Sequence, residues 1–345
     1  MKKTCRAVFS AAHIAPHTAA LSALVAAFAA VLVTMGFSGC ARKSDARNAG
    51  ARGTDAGASA VSVTATIFAP YDFVRQLAGG KAALTMLLPP GAESHSFEPT
   101  PQDMITVQKS AVFIYVGGES DTWVERILAS LDTSGMQIVS LMDCVEVVEE
   151  ELVEGMEEEA EEEEAEGPEY DEHVWTSPRN AARIAAKIAD ALCAADAENA
   201  ALYRQNAAAY IARLEALDQA FIAVTQNAPR KTIVFGDRFP FRYLADAYGL
   251  SYYAAFPGCS TETECSAATI AFLINTIKRD HIPVVFHIEL SNEKIADTIA
   301  EETGAKKRLL HACHNISKED FNAGKTYLEL MEMNVERLHE ALGDG

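Results

Sequence analysis

Between Ser177 and Val224 the chain has no glycine, and its one proline, Pro178, stands at the start. The stretch is rich in alanine and in residues that lose little freedom in a helix. Apolar side chains at Ile184, Ile188 and Leu192, then at Tyr203, Tyr210, Leu214 and Leu217, recur at helical spacing. Ser177 and Pro178 suit a cap and a first helical residue. A break is predicted near AADAEN (194–199), with Asp196 capping a second helix from about Glu198 to Val224. At the usual rise that second helix is about 40 Å long, enough to cross a whole domain. What precedes and follows must be arranged around it.

On both sides the texture alternates. Before it, VTATIF (63–68), KAALTMLLP (81–89), AVFIYVG (111–117) and QIVSL (137–141) read as strands. Between them YDFVRQLAGG (71–80), PQDMITVQKS (101–110) and SDTWVERILASLD (120–132) read as helices. After it, TIVFG (232–236), LSYYAAF (250–256), PVVFHIEL (283–290) and KRLLHAC (307–313) read as strands. They are separated and followed by helical segments at 239–249, 266–280, 292–304 and 325–342. Apolar runs of strand length alternating with helices define an α/β fold with mainly parallel sheets covered on both faces. The expected organisation is an N-terminal lobe (63–176), linking helices (177–229) and a C-terminal lobe (230–345).

Charge is concentrated rather than spread. The formal net charge is −20, and residues 146–172 alone hold sixteen Asp and Glu with no Lys or Arg. Such a balance excludes a nucleic-acid partner, because phosphates are repelled. A block this acidic buries too little apolar surface to offset its ordering entropy, so 146–170 reads as a disordered loop inserted in the first lobe.

The first 39 residues read as a targeting segment: Lys2, Lys3 and Arg6, then an uncharged, mostly apolar run from Ala19 to Phe37. GFSGC (36–40) resembles a bacterial lipoprotein signal, which implies lipidation of Cys40 and a polar tether over 40–62. An uncleaved membrane anchor is the alternative, since about 20 apolar residues span a bilayer. Either way the body faces an extracytoplasmic space, the periplasm or the cell surface. Five cysteines follow Cys40, namely Cys144, Cys193, Cys259, Cys265 and Cys313. Disulfides are allowed there, and both Cys259–Cys265 and Cys259–Cys313 remain open.

Five histidines, His95, His173, His287, His311 and His314, fall at strand ends or just beyond them, the edge where ligands bind in open α/β sheets. His95 sits in LLPPGAESHSFEPTPQDM (87–104), framed by four prolines, and His173 in DEHVWTSPRN (171–180). No nucleophile elbow, P-loop, dinucleotide glycine loop or HExxH is present. HACH (311–314) lacks the second cysteine pair of a structural zinc site. Neutral imidazoles with carboxylates nearby suit Zn²⁺ or Mn²⁺, held in a cleft between the lobes.

LLPPGAESHSFEPTPQDM, DEHVWTSPRNAARIAAKIADAL (171–192), YLADAYGL (243–250) and GKTYLELMEMNVERLHEAL (324–342) together resemble the metal-binding lipoproteins of bacterial zinc and manganese ABC importers. The resemblance runs from about 64 to 343. It implies two lobes joined by one long rigid helix, with metal in the interlobe cleft. By motif, His95 and His173 match the first two ligands. At the usual third position stands Arg238, whose guanidinium has no lone pair to give; Asp237 beside it is the alternative. The fourth falls within HACHN (311–315), at His314 or else His311, with Glu289 and His287 as further candidates.

An imidazole-rich set favours zinc over manganese. The resemblance also implies a monomeric carrier with no catalysis, delivering to ABC permease and ATPase subunits. A surface adhesin and a zinc-dependent hydrolase are the alternatives. The acidic loop is expected to raise the local cation concentration beside the site.

Overall fold

A computed structural model describes residues 60–92, 97–156, 169–260 and 264–343, which belong to a compact unit spanning Gly57–Gly345. The signal segment, Cys40, most of the tether, His95 and the acidic run 157–168 lie outside the described residues. Among the described residues no helix is long and apolar enough to cross a membrane.

The first sheet is built from β1 (Val61–Ala65), β2 (Ala82–Met86), β3 (Val112–Tyr115) and β4 (Gln137–Ser140), all parallel, in the order β2-β1-β3-β4. Helices α1 (Phe68–Ala78), α2 (Pro101–Gln108) and α3 (Thr122–Leu128) connect them. Thr100 starts α2 with a capping box to Asp103, and Pro101 occupies the first turn, where its missing N–H costs nothing. One face of this sheet joins the main core through Val63, Ala65 and Ile114. The other closes a smaller cluster of Leu87, Val107, Phe113 and Val124.

Next come α4 (Pro178–Ala195) and α5 (Ala200–Thr225), the long helix the sequence predicts. Ser177 is the N-cap and Pro178 the first residue of α4. Asp196 plays a different part from the expected cap: it ends α4, and Asn199 is the N-cap of α5. Its carboxylate accepts hydrogen bonds from the Asn199 side chain (2.8 Å) and the Tyr203 hydroxyl (2.6 Å), which fixes the angle between the two helices. Helix α5 packs against α1, α4, α6 (Arg242–Tyr248) and α10 (Tyr327–Leu342).

In the C-terminal half, β5 (Thr232–Val234) pairs with β6 (Ser251–Tyr253), and β7 (Val284–His287) with β8 (Lys306–Leu309), each in parallel. A parallel bridge between Phe235 and Phe286 joins the two pairs, giving the order β6-β5-β7-β8. Helices α7 (Ala267–Asp280) and α8 (Lys294–Thr303) cover one face through Leu273, Ile277 and Ile299. A short helix that the sequence reading does not contain, α9 (Lys318–Asn322), precedes α10. Its five residues offer too little periodicity to stand out. Two parallel sheets flanked by helices, with α5 across both, are the architecture the alternation predicts.

Candidate metal site

The ends of both sheets converge on a small recess whose walls include His173, Arg238, Glu289, Leu290, His314 and Asn315. The His173 and His314 rings lie edge to face with centroids 5.4 Å apart. Trp175 packs against both, at 5.4 and 5.1 Å, and its indole N–H donates to Ala312 O at 2.8 Å. Trp175 is fully buried, so this ring fixes the two imidazoles relative to each other.

His173 is positioned by the edge of the acidic segment. An antiparallel bridge between Glu149 and Tyr170 closes that edge, and Asp171 N–H donates to Val148 O (3.0 Å). The Tyr243 hydroxyl donates to Asp171 O (2.7 Å). Asp171 Oδ1 then accepts the His173 backbone N–H (2.8 Å) and lies 3.3 Å from His173 Nδ1. A carboxylate on Nδ1 keeps the proton there and leaves Nε2 as the lone-pair nitrogen, the second-shell device that orients a ligating imidazole. Burial pulls the His173 pKa down, but the charge and hydrogen bond of Asp171, with Glu172 and Glu150 behind it, leave it above the usual value.

Glu150 is itself pushed up to about 7, chiefly by burial. Gly258 leaves room for this pair: a Cβ there would stand 3.2 Å from Asp171 Oδ2 and 3.3 Å from Glu150 Oε1. Of the expected loop 146–170, residues 146–156 and 169–170 are therefore the described ends, hydrogen-bonded to each other. Asp171 and Glu172, which follow, are buried.

His314 owes its place to a tight turn after β8. Cys313 takes a left-handed conformation (φ 59°), uncommon for a residue with a side chain. Three contacts hold it. Glu289 accepts from Ala312 N (2.7 Å, Oε2) and His314 N (3.0 Å, Oε1), and His311 Nδ1 accepts from Cys313 N (3.0 Å). Asn334 locks His311 in turn, accepting from its N–H and donating to its carbonyl, both at 2.8 Å.

His311 is thus a buried brace and does not stand among the residues lining the recess, whereas His314 does. His287 turns its Nδ1 to Ile288 O (3.1 Å) and is likewise absent from that lining. Asp237 accepts from Arg238 N (2.9 Å) and Ile288 N (3.1 Å), tying β5 to β7. Arg238 reaches the recess and donates from Nη1 to Ser260 O at 3.1 Å.

Among the described residues, no three or more His, Cys, Asp and Glu are grouped to hold an ion. The third imidazole of the expected set, His95, falls outside them. The approach to it is described: Asn315 Nδ2 donates to Pro89 O (2.9 Å) and Ala92 O (2.7 Å), and Gly91 N–H to Ile316 O (2.8 Å). The turn that carries His314 is therefore bonded to the loop that leads to His95. Cys259 and Cys313 are free thiols, so neither disulfide that the spacing allows is formed in this structure.

The sequence reading missed the roles of Asn334 and Asn315. Asn334 lies on the buried face of α10 beside Leu330, Met331 and Leu338. A polar residue on an apolar helix face is itself a signal that something buried needs a partner.

Comparison with known proteins agrees with this architecture. Residues 63–341 match the family described as zinc-uptake complex component A, periplasmic, and the chain belongs to that family. It is 31% identical over 283 residues to the zinc-binding lipoprotein AdcA of Streptococcus pneumoniae, covering 81% of this chain and 55% of that one. It is 32% identical over 284 residues to the high-affinity zinc uptake system protein ZnuA of Bacillus subtilis, covering 81% and 87%. The chain therefore spans about half the length of the streptococcal relatives it matches. Among solved structures, the Zn(II)-bound ZnuA-like domain of S. pneumoniae AdcA superposes with a TM-score of 0.68 at 29% identity. That match covers 82% of this chain and 99% of the domain.

Proposed function

We propose that this protein is the extracytoplasmic binding component of a zinc importer, capturing Zn²⁺ between its lobes with the imidazoles of His95, His173 and His314. It releases the ion to ABC permease and ATPase subunits and carries out no catalysis. Lipidation of Cys40 holds the monomer to the membrane through the tether.

The observation that carries this reading is the pairing of His173 and His314, supplied by distant parts of the chain, on one wall of one recess. Membership of the zinc-uptake family and the zinc-binding names of its relatives support the choice of ion. So does the chemistry of the donors: neutral imidazole suits zinc, while manganese prefers more oxygen. Arg238 adds a fixed positive charge to the wall, and Glu289 spends both oxygens on backbone N–H groups. Nitrogen donors are then the ready ones.

Titration of the purified chain with Zn²⁺ and Mn²⁺ by calorimetry tests the proposal. One equivalent of zinc is expected, bound more tightly than manganese, with no turnover of ester or peptide substrates. Equal zinc affinity in the parent and in His173→Ala would overturn it.

A further inference from the structure

His314 also lines a second, small recess whose other walls include Thr66, Ser120, Asp121, Trp123 and Glu172. Two of these are buried carboxylates, with Asp121 8% and Glu172 5% exposed. Asp121 Oδ2 accepts from Val116 N (2.8 Å) and Gly117 N (3.2 Å), and Glu172 Oε1 accepts from Ser120 N (2.8 Å). The backbone bonds thus fall on one oxygen of each carboxylate, and each also takes one side-chain hydrogen bond, Asp121 from Trp123 and Glu172 from Ser120. Gly118, at φ 79°, clears the space for Glu172: a Cβ there would lie 2.4 Å from Oε1.

The third feature is a hydroxyl. Thr66 is 3% exposed, and its Oγ1 has no hydrogen-bond partner. Its backbone is held on both sides, by Ile114 O and by Leu88 N–H, so the hydroxyl has a fixed place in the wall. A buried polar atom without a partner is rare in folded proteins, and a bound water or ion would satisfy it. No Lys or Arg is among the described residues that line this recess.

We propose that this recess is a second cation site, distinct from the imidazole site and sharing only the His314 wall. It takes a hard divalent ion of the Mg²⁺, Ca²⁺ or Mn²⁺ kind on the Asp121 and Glu172 carboxylates and the Thr66 hydroxyl. Water supplies the remaining ligands, as oxygen-preferring cations allow. Burial pushes the Asp121 acid up to about 6, and an ion beside it offsets that penalty. With two carboxylates and neutral oxygens, the affinity is on the order of 10⁻⁴ M. Cations on two sides of one imidazole repel each other, so each site weakens the other by the same factor.

Tb³⁺, a hard cation whose emission is sensitised by nearby indole, tests the site in the full chain, because Trp123 stands in its wall. Indole-excited terbium emission is expected with and without saturating zinc, and millimolar Ca²⁺ should displace it. The signal should fall at least fivefold in Asp121→Asn and measurably in Trp123→Phe, with Trp175 beside His314 supplying the remainder, and the terbium affinity should fall severalfold in Thr66→Val. Zinc binding is measured on the same samples, so failure of the importer reading is seen separately. No emission from the parent chain overturns the proposal. So does emission unchanged in Asp121→Asn and Thr66→Val, which would put the ion elsewhere on the chain. Should Asp121→Asn fail to fold, Thr66→Val decides.

Discussion

The two recesses that meet at His314 differ in what their carboxylates do. Around the first, Glu289 and Asp237 each give both oxygens to backbone N–H groups, and Asp171 holds an imidazole. The other polar side chains in that wall are the His173 and His314 imidazoles, the Arg238 guanidinium and the Asn315 amide. Around the second, Asp121 and Glu172 take their backbone bonds on a single oxygen each, with one side-chain bond apiece from Trp123 and Ser120, and a hydroxyl stands beside them. The difference teaches that acidic residues near a site do not define its chemistry. What matters is where each oxygen is already committed.

The comparison can be broken most directly at the imidazoles. His314→Ala and His173→Ala should each lower zinc affinity at least about 100-fold, since even outer-shell changes at metal sites cost about 10–100-fold. Competition with a chelating dye measures this. A loss confined to one of the two would make the other a bystander.

Next in size is the pH response of the second recess. Burial raises the folded Asp121 carboxyl from the ordinary 3.8 to about 6. Between those values the folded state binds more protons than the unfolded one, so this group's contribution falls as pH rises from 4 to 7. The loss approaches roughly 3 kcal/mol when two pKa units are converted. Urea unfolding of the metal-free chain at pH 4.5 and pH 7.5 should show that decline, and Asp121→Asn should flatten it. An unchanged slope in the variant would mean that Asp121 is not the group responsible.

Smaller still is the brace under His314. Glutamine has one acceptor oxygen where Glu289 uses two, so Glu289→Gln strands one of two N–H groups, a cost of about 1–3 kcal/mol. Zinc affinity should fall about tenfold in the same variant. Stability loss without affinity loss would show that the turn keeps its shape unaided.

The smallest effect is expected at Asn315. Its replacement by alanine removes two hydrogen bonds to the loop before His95, worth about 1 kcal/mol each. Faster zinc release in stopped flow is the reading that separates loop positioning from plain stability.

The alternation of strands and helices, the long α5 and the few histidines at strand ends are all legible in the amino-acid order. These follow from periodicity and from the position of residues relative to element ends, both of which are local. Only the tertiary structure separated His314 from His311: the left-handed Cys313 turn, held by Glu289 and Asn334, sends one imidazole to the recess and makes the other a brace. It also placed Arg238 in the wall, turned Asp237 into a tie between strands, and buried Asp171 and Glu172 at the edge of an acidic block. Such roles depend on which distant N–H groups a side chain meets, and those distances exist only once the sheets have packed.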